Sequence, residues 1–160
     1  MRQINRIKDG LVNQKKSISF TYNGHILTGY EGDTLASALL ANNKKLVGRS
    51  FKYHRPRGIV TAGSEEPNAI MEIGNGAYTD PNTRATITEL YDGLEANSQN
   101  HKGPLGFDLM AIIDFLSPLV GAGFYYKTFM WPKAFWEKFY EPAIRNAAGL
   151  GTLSTEPDPD

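Results

Sequence analysis

Arg49-Ser50-Phe51-Lys52-Tyr53-His54-Arg55-Pro56-Arg57-Gly58 gathers four permanent cations and a histidine into ten consecutive residues with no acid among them. The chain as a whole is neutral, with 17 basic and 17 acidic side chains, so this is a local excess of positive charge. Such a run has to meet water, an anionic ligand or the acidic surface of a partner. Two chemistries fit it. In the first, Arg49, Lys52, Arg55 and Arg57 hold the phosphate of a flavin or nucleotide, because the planar guanidinium fork matches phosphate oxygens, and Tyr53 or His54 stacks on a ring. In the second, the run is a structural interface loop: Phe51, Tyr53 and His54 pack, and the cations bridge to a neighbouring domain. His54 as a general base would need an orienting acid and a substrate proton within reach, and the sequence shows neither. An interface histidine is the simpler reading.

The other candidates are weaker. His25 and His101 are isolated, and no His/Asp/Glu spacing matches a metal site. Glu65 and Glu66 are adjacent carboxylates, but neighbours in a chain rarely converge on one substrate, so both read as surface acids. Gly149-Leu150-Gly151 opens like a dinucleotide fingerprint, yet it lacks the third glycine and the preceding strand and reads as a helix stop. The absence of cysteine excludes disulfides, thiolate metal ligands and cysteine nucleophiles. It fits a reducing compartment. Zero net charge argues against a general nucleic-acid binder. No apolar signal core follows Arg2, Arg6 and Lys8, and the most apolar stretch, 109–129, is broken by Asp114, Pro118 and Lys127. The chain reads as cytoplasmic.

These residues need a frame to position them, and 160 residues are enough to bury a real core, roughly 70% of the unfolded surface. After an amino-terminal arm (1–16), Ser17-Ile18-Ser19-Phe20-Thr21-Tyr22 alternates polar and apolar with the period of a half-buried strand. Asn23-Gly24 is a two-residue hairpin turn, and 25–29 returns as the second strand. Asp33 or Thr34 can cap a helix whose apolar face is Leu35, Ala38 and Leu39, ending near Asn42-Asn43. Further strands are expected at 45–50, 69–73 and 85–90. Hairpin, helix and later strands predict an α+β fold of β-grasp type over 17–96, one helix packed across a small mixed sheet.

A polar, turn-rich linker is expected over 97–106. Beyond it, 107–151 carries 11 of the 18 aromatic residues. A short helix is expected over 108–116, and another opening at Pro132 with Phe135 and Phe139 on one face, to kink or end at Pro142. A last helical turn over 143–148 and an acidic tail, 152–160, complete the chain. Phe124, Tyr125, Tyr126, Phe129, Trp131 and Trp136 need more apolar surface than a small sheet domain offers, so this extension is expected to dock on a partner or another part of the same polypeptide.

Several strings resemble the amino-terminal region of the α subunit of heterotetrameric sarcosine oxidase. They are 48–58, Glu65-Glu66-Pro67-Asn68-Ala69, Glu89-Leu90-Tyr91-Asp92-Gly93-Leu94, 123–132 and Tyr140-Glu141-Pro142-Ala143-Ile144-Arg145, in that order along the chain. The resemblance implies a complex of α, β, γ and δ subunits carrying NAD, FAD and FMN. That complex oxidises the methyl group of sarcosine, giving glycine, a one-carbon unit passed to tetrahydrofolate, and hydrogen peroxide. It further implies that FAD and the amine-oxidising site belong to β, that FMN lies near the α–β boundary, and that NAD and folate bind parts of α absent here. The Rossmann-type domain expected after the acidic tail is missing, so no catalytic residue carries over.

A second resemblance, of the β-grasp layout and its Pro-Arg-Gly loop, is to the two-iron two-sulfur ferredoxin-type domains of related amine dehydrogenases. In approximate register, Val60, Glu65 and Asn68 stand where that family has cluster-ligating cysteines. A cluster-less, non-catalytic docking module is therefore expected, with no cofactor bound by this chain alone. Two alternatives remain: a module of a related amine or imino-acid dehydrogenase acting on proline, hydroxyproline, opines or dimethylglycine, or a stand-alone β-grasp adaptor that only binds proteins.

Overall fold

The computed structural model describes residues 3–50, 53–115, 133–147 and 151–157. The alternating segment forms β1 (Asn13–Tyr22), with Phe20 and Tyr22 buried on one face. Asn23 and Gly24 both adopt positive φ (48° and 75°), the geometry of a tight hairpin turn, and β2 (His25–Glu31) returns antiparallel with Phe20 opposite Leu27. Helix α1 (Leu35–Ala41) opens on a reciprocal cap, in which the Thr34 side chain accepts from the Ser37 amide and Ser37 Oγ accepts from the Thr34 amide. Seven residues are too few for a helix to persist alone. Burial of Leu35, Ala36, Ala38, Leu39 and Ala41 holds it, at about 1.5–3 kcal/mol for each fully buried leucine.

Three further strands, β5 (Ile70–Ile73), β6 (Asp80–Arg84) and β7 (Glu95–Ser98), complete a five-stranded sheet in the order β2-β1-β7-β5-β6. Strands β1 and β7 lie parallel at its centre, and the other pairs are antiparallel. The core is Phe20, Tyr22, Leu27, Leu35, Leu39, Val47, Met71, Leu90 and Leu94 with small neighbours, one sheet face closed by α1. This is the α+β, ferredoxin-like β-grasp fold expected from the sequence.

Some elements differ from expectation. The strand expected over 85–90 is a turn-rich connection, and the pairing partner of β5 is β6 instead. Ala85, Leu90 and Leu94 are buried, so they mimic a strand's apolar content while dipping into the core from a loop. Strand β6 carries no such signal because it is an edge, where polar side chains and Pro81 are tolerated. Strand β7 extends to Ser98, through the first residues of the expected linker. Of 45–50, only β3 (Gly48–Arg49) is paired, with β4 (Pro56–Arg57), in a ribbon outside the main sheet.

Past the sheet, a 3₁₀ turn (Leu109–Ala111) runs into α2 (Ile112–Phe115). Further on, a 3₁₀ turn (Lys133–Phe135) leads through a π-helical stretch (Trp136–Tyr140) into α3 (Glu141–Ala147). Pro142 neither ends nor breaks this helix. The widened π turn lies directly before it, a placement that relieves the clash between the proline ring and the carbonyl four residues back. Phe135 and Phe139 meet edge to face with ring centroids 5.2 Å apart.

Candidate functional site

The basic run folds as the β3–β4 ribbon, with Gly48 opposite Arg57 and Arg49 opposite Pro56. Gly58 follows the ribbon where the backbone passes close to residue 45, and a Cβ there would lie 2.8 Å from the Lys45 carbonyl oxygen. At the ribbon's tip His54 adopts φ 53°, the left-handed conformation, and its ring is buried. His54 Nδ1 lies 2.6 Å from Asp108 Oδ2, and the side chains are 3% and 0% exposed. Asp108 Oδ1 accepts from the Lys102 and Met110 amides at 2.9 and 3.0 Å. Burial pushes the Asp108 carboxyl up, but those two amides and His54 outweigh it and hold it below the ordinary value. The carboxylate is thus ionised and acceptor-only, so His54 donates Nδ1–H to it.

The orienting acid that the local sequence lacks therefore arrives from 54 residues downstream. Such a pair has the make-up of a general-base dyad, yet both side chains are almost wholly buried, and the geometry is that of a lock between the ribbon and the segment after β7. The cations serve the same lock. Arg49 donates Nε and Nη2 to the Leu105 carbonyl at 3.0 and 2.7 Å and Nη1 to the His54 carbonyl at 3.1 Å. Asn100 Nδ2 returns a bond to the Arg49 carbonyl at 2.8 Å. Arg55 pairs with Asp114 at 2.7 Å and stands 4.9 Å over the Tyr53 ring. Arg57 is exposed. Phe51, Lys52, Phe124, Tyr125, Tyr126, Phe129 and Trp131 lie outside the described residues, and Trp136 is half-buried in the π turn.

Beside the lock is a cleft of about 990 Å³ lined by His54, His101, Lys102, Arg145, Glu72 and Glu141, among others. Arg145 donates Nε to Glu141 at 2.9 Å, so the walls carry balanced charge and offer an anion no net attraction. Among the described residues no group of three or more acids and histidines is placed to hold a metal ion, and no helix is long and apolar enough to cross a membrane.

The loop after the ribbon is the second feature. Glu65 is exposed, but Glu66, expected as a surface acid, is buried, and that expectation is corrected here. Its backbone is extended (φ −70°, ψ 117°), as the following Pro67 requires, and its carboxylate folds back into its own loop. Oε2 accepts from the Val60 and Thr61 amides at 2.8 and 2.7 Å, and Oε1 from the Asn68 amide at 2.8 Å. Burial pushes this carboxyl up as well, but the amides of Thr61, Asn68, Val60 and Ala69 together hold it below the usual range. Val60 is exposed and Asn68 half-buried, and both present a backbone amide to Glu66. The proline after Glu66 was a legible signal for its extended backbone; the return of its side chain was not. Nor did local sequence mark Arg6, which grips the buried Asp33 through both carboxylate oxygens at 2.7 and 2.6 Å and ties the amino-terminal arm to the start of α1.

A sheet with β1 and β7 parallel at its centre, one crossing helix and this loop define the class. The 2Fe-2S iron-sulfur cluster binding domain matches residues 15–101, and the chain belongs to that family. Its relatives carry the resemblance to sarcosine oxidase α subunits further. The protein named sarcosine oxidase subunit alpha of Rhizobium meliloti (strain 1021) is 63% identical over 153 residues, 96% of this chain and 16% of the relative. That of Corynebacterium sp. (strain U-96) is 39% identical over 97 residues, 59% of this chain and 10% of the relative. The chain thus spans about a sixth or less of the length of these relatives. A crystal structure titled L-proline dehydrogenase from P. horikoshii matches at a TM-score of 0.46 and 22% identity, over 61% of this chain and 17% of that one.

The family's cluster does not fit the residues present here. Thiolates are the usual ligands of a two-iron two-sulfur centre, and this chain has no cysteine. The loop's inward amides already serve Glu66.

Proposed function

We propose that this chain is a non-catalytic docking module of a sarcosine oxidase α subunit. The complex would demethylate sarcosine oxidatively to glycine, pass the one-carbon unit to tetrahydrofolate and release hydrogen peroxide. The observation that carries the reading is the 63% identity across 96% of the chain with a protein of that name. The remainder of α and the β, γ and δ subunits would supply NAD, FAD, FMN and the catalytic residues, in a cytoplasmic heterotetramer. Two features of the site support a docking role. The one histidine–carboxylate pair among the described residues with dyad geometry is almost fully buried, and its Nδ1 is spent on an internal hydrogen bond. The segment it holds in place exposes Phe107, Leu109, Ile112 and Phe115, an apolar surface suited to a protein partner.

Arg49 and Arg55 are engaged within the chain, which makes the exposed Arg57 the best placed of the run's described cations for a flavin phosphate at a subunit boundary. The test is purification of the protein from its native source, with its mass and its co-purifying chains identified. Flavin-bearing partners and sarcosine-dependent peroxide formation are expected. A colourless preparation with neither would overturn the reading. In the assembled protein, Arg57→Glu is expected to lower flavin content or loosen assembly, and unchanged content and assembly would remove Arg57 from the boundary.

A further inference from the structure

A loop that needs no metal still needs something at its centre. Residues 58–69 surround backbone N–H groups that converge on one point, the concavity that binds anions in phosphate loops and iron–sulfur sites. Here that point is occupied by the Glu66 carboxylate, which is buried and bonded by the amides of Val60, Thr61 and Asn68. The Thr61 hydroxyl stands 3.4 Å from Oε2 as well. The rim of the loop is pinned separately, by the Thr86 hydroxyl donating to the Gly63 carbonyl at 2.6 Å. We propose that 58–69 is an anion-binding nest whose resident anion is the chain's own Glu66 carboxylate, inside a domain whose family is described as binding an iron–sulfur cluster.

Two arguments converge on this assignment. Without an anion, these part-buried amides would face one another across the loop with no acceptor between them, and each unpaired group is costly. The three hydrogen bonds are 2.7 to 2.8 Å long, the range of charge-assisted bonds. The inference is independent of which subunit or substrate the protein serves.

The nest should accept a small free carboxylate once Glu66 is shortened. Glu66→Ala removes the CH₂–COO⁻ fragment, and acetate replaces it. The experiment is amide hydrogen exchange, followed by mass spectrometry of peptides covering 58–69, in the protein at its full natural length. In Glu66→Ala these amides should exchange about ten- to a hundredfold faster, from the loss of charged hydrogen bonds. Acetate should slow them again in a saturable manner, at least about threefold by RT ln(1 + [L]/Kd) once its concentration is twice Kd. Pivalate, equally charged but too bulky, should have no effect at the same ionic strength, and neither salt should change the wild type. Unchanged protection in Glu66→Ala, loss that acetate does not reverse, or equal effects of acetate and pivalate would each overturn the proposal. Should Glu66→Ala fail to fold, Glu66→Gln keeps the shape with one acceptor oxygen. It should then expose the Val60–Thr61 or the Asn68 amides but not both sets, and wild-type protection throughout would overturn the proposal.

Discussion

Asp108 shows how far one side chain's role can lie from its place in the chain. It caps the Leu109–Ala111 turn through the Met110 amide, accepts from the Lys102 amide, and accepts a hydrogen bond from His54 Nδ1, all with no exposure of its own side chain. Replacing it removes every one of these acceptors at once and leaves His54 and two amides without their partner. Asp108→Ala is therefore expected to cost several kcal/mol, about 1–3 kcal/mol for each buried donor left without its acceptor, read from urea denaturation. Arg55→Ala should be nearly silent in the same assay, below about 1 kcal/mol, because the Arg55–Asp114 pair is about half exposed. Three buried carboxyls also set the acid limit. For Asp33, Glu66 and Asp108, burial raises the pKa, but hydrogen bonds prevail and the folded value lies below the ordinary one. The folded state then binds protons less readily than the unfolded state, so these groups contribute stability above the unfolded pKa values of about 4. That contribution disappears as pH falls through the folded values. The denaturation midpoint should hold from pH 7 to about 5 and drop by about pH 3; a midpoint unchanged at pH 3 would contradict the sign.

At the scale of elements, the contact between β2, α1 and the connection carrying Leu90 depends on a missing side chain. A Cβ on Gly29 would overlap Leu90 Cδ2 and lie 3.2 Å from Ala38 Cβ. Leu90 is buried and Ala38 fully so, which leaves little room for either to retreat. Gly29→Val is expected to destabilise by about 1–3 kcal/mol or more through overpacking, measured by thermal or urea unfolding, with the smaller Gly29→Ala at the low end. If Gly29→Val matched the wild type, Leu90 would have to be free to move, contrary to its burial. The β3–β4 ribbon follows a different logic. It contributes no strand to the main sheet and holds its place through Arg49, His54 and Arg55, so polar substitutions should move it while leaving the core intact.

For the molecule as a whole, family membership and residue chemistry point in different directions. The chain belongs to a cluster-binding family, yet has no cysteine, and the Val60, Thr61 and Asn68 amides of its loop are bonded to Glu66. Anaerobic reconstitution with iron and sulfide is expected to yield no stable two-iron two-sulfur spectrum; recovery of one after desalting would require ligands other than thiolates. Phe107, Leu109, Ile112 and Phe115 are exposed on a segment latched to the ribbon, and they form the apolar surface that the proposed docking role would use.

Some of this was written locally and some was not. The β1–β2 hairpin was legible because alternation and Asn23-Gly24 act over a few residues, and α1 because its cap and apolar face are contiguous. Cysteine's absence settled thiolate ligation without any structure. Strand β6 was illegible because an edge strand with polar side chains carries no apolar period, and 85–90 misled because buried loop residues carry apolar content without one. The fates of Glu66 and of His54 were decided only by tertiary structure. Burial and hydrogen bonding depend on which groups meet in space, and Asp108 meets His54 only after the chain has crossed the sheet and returned.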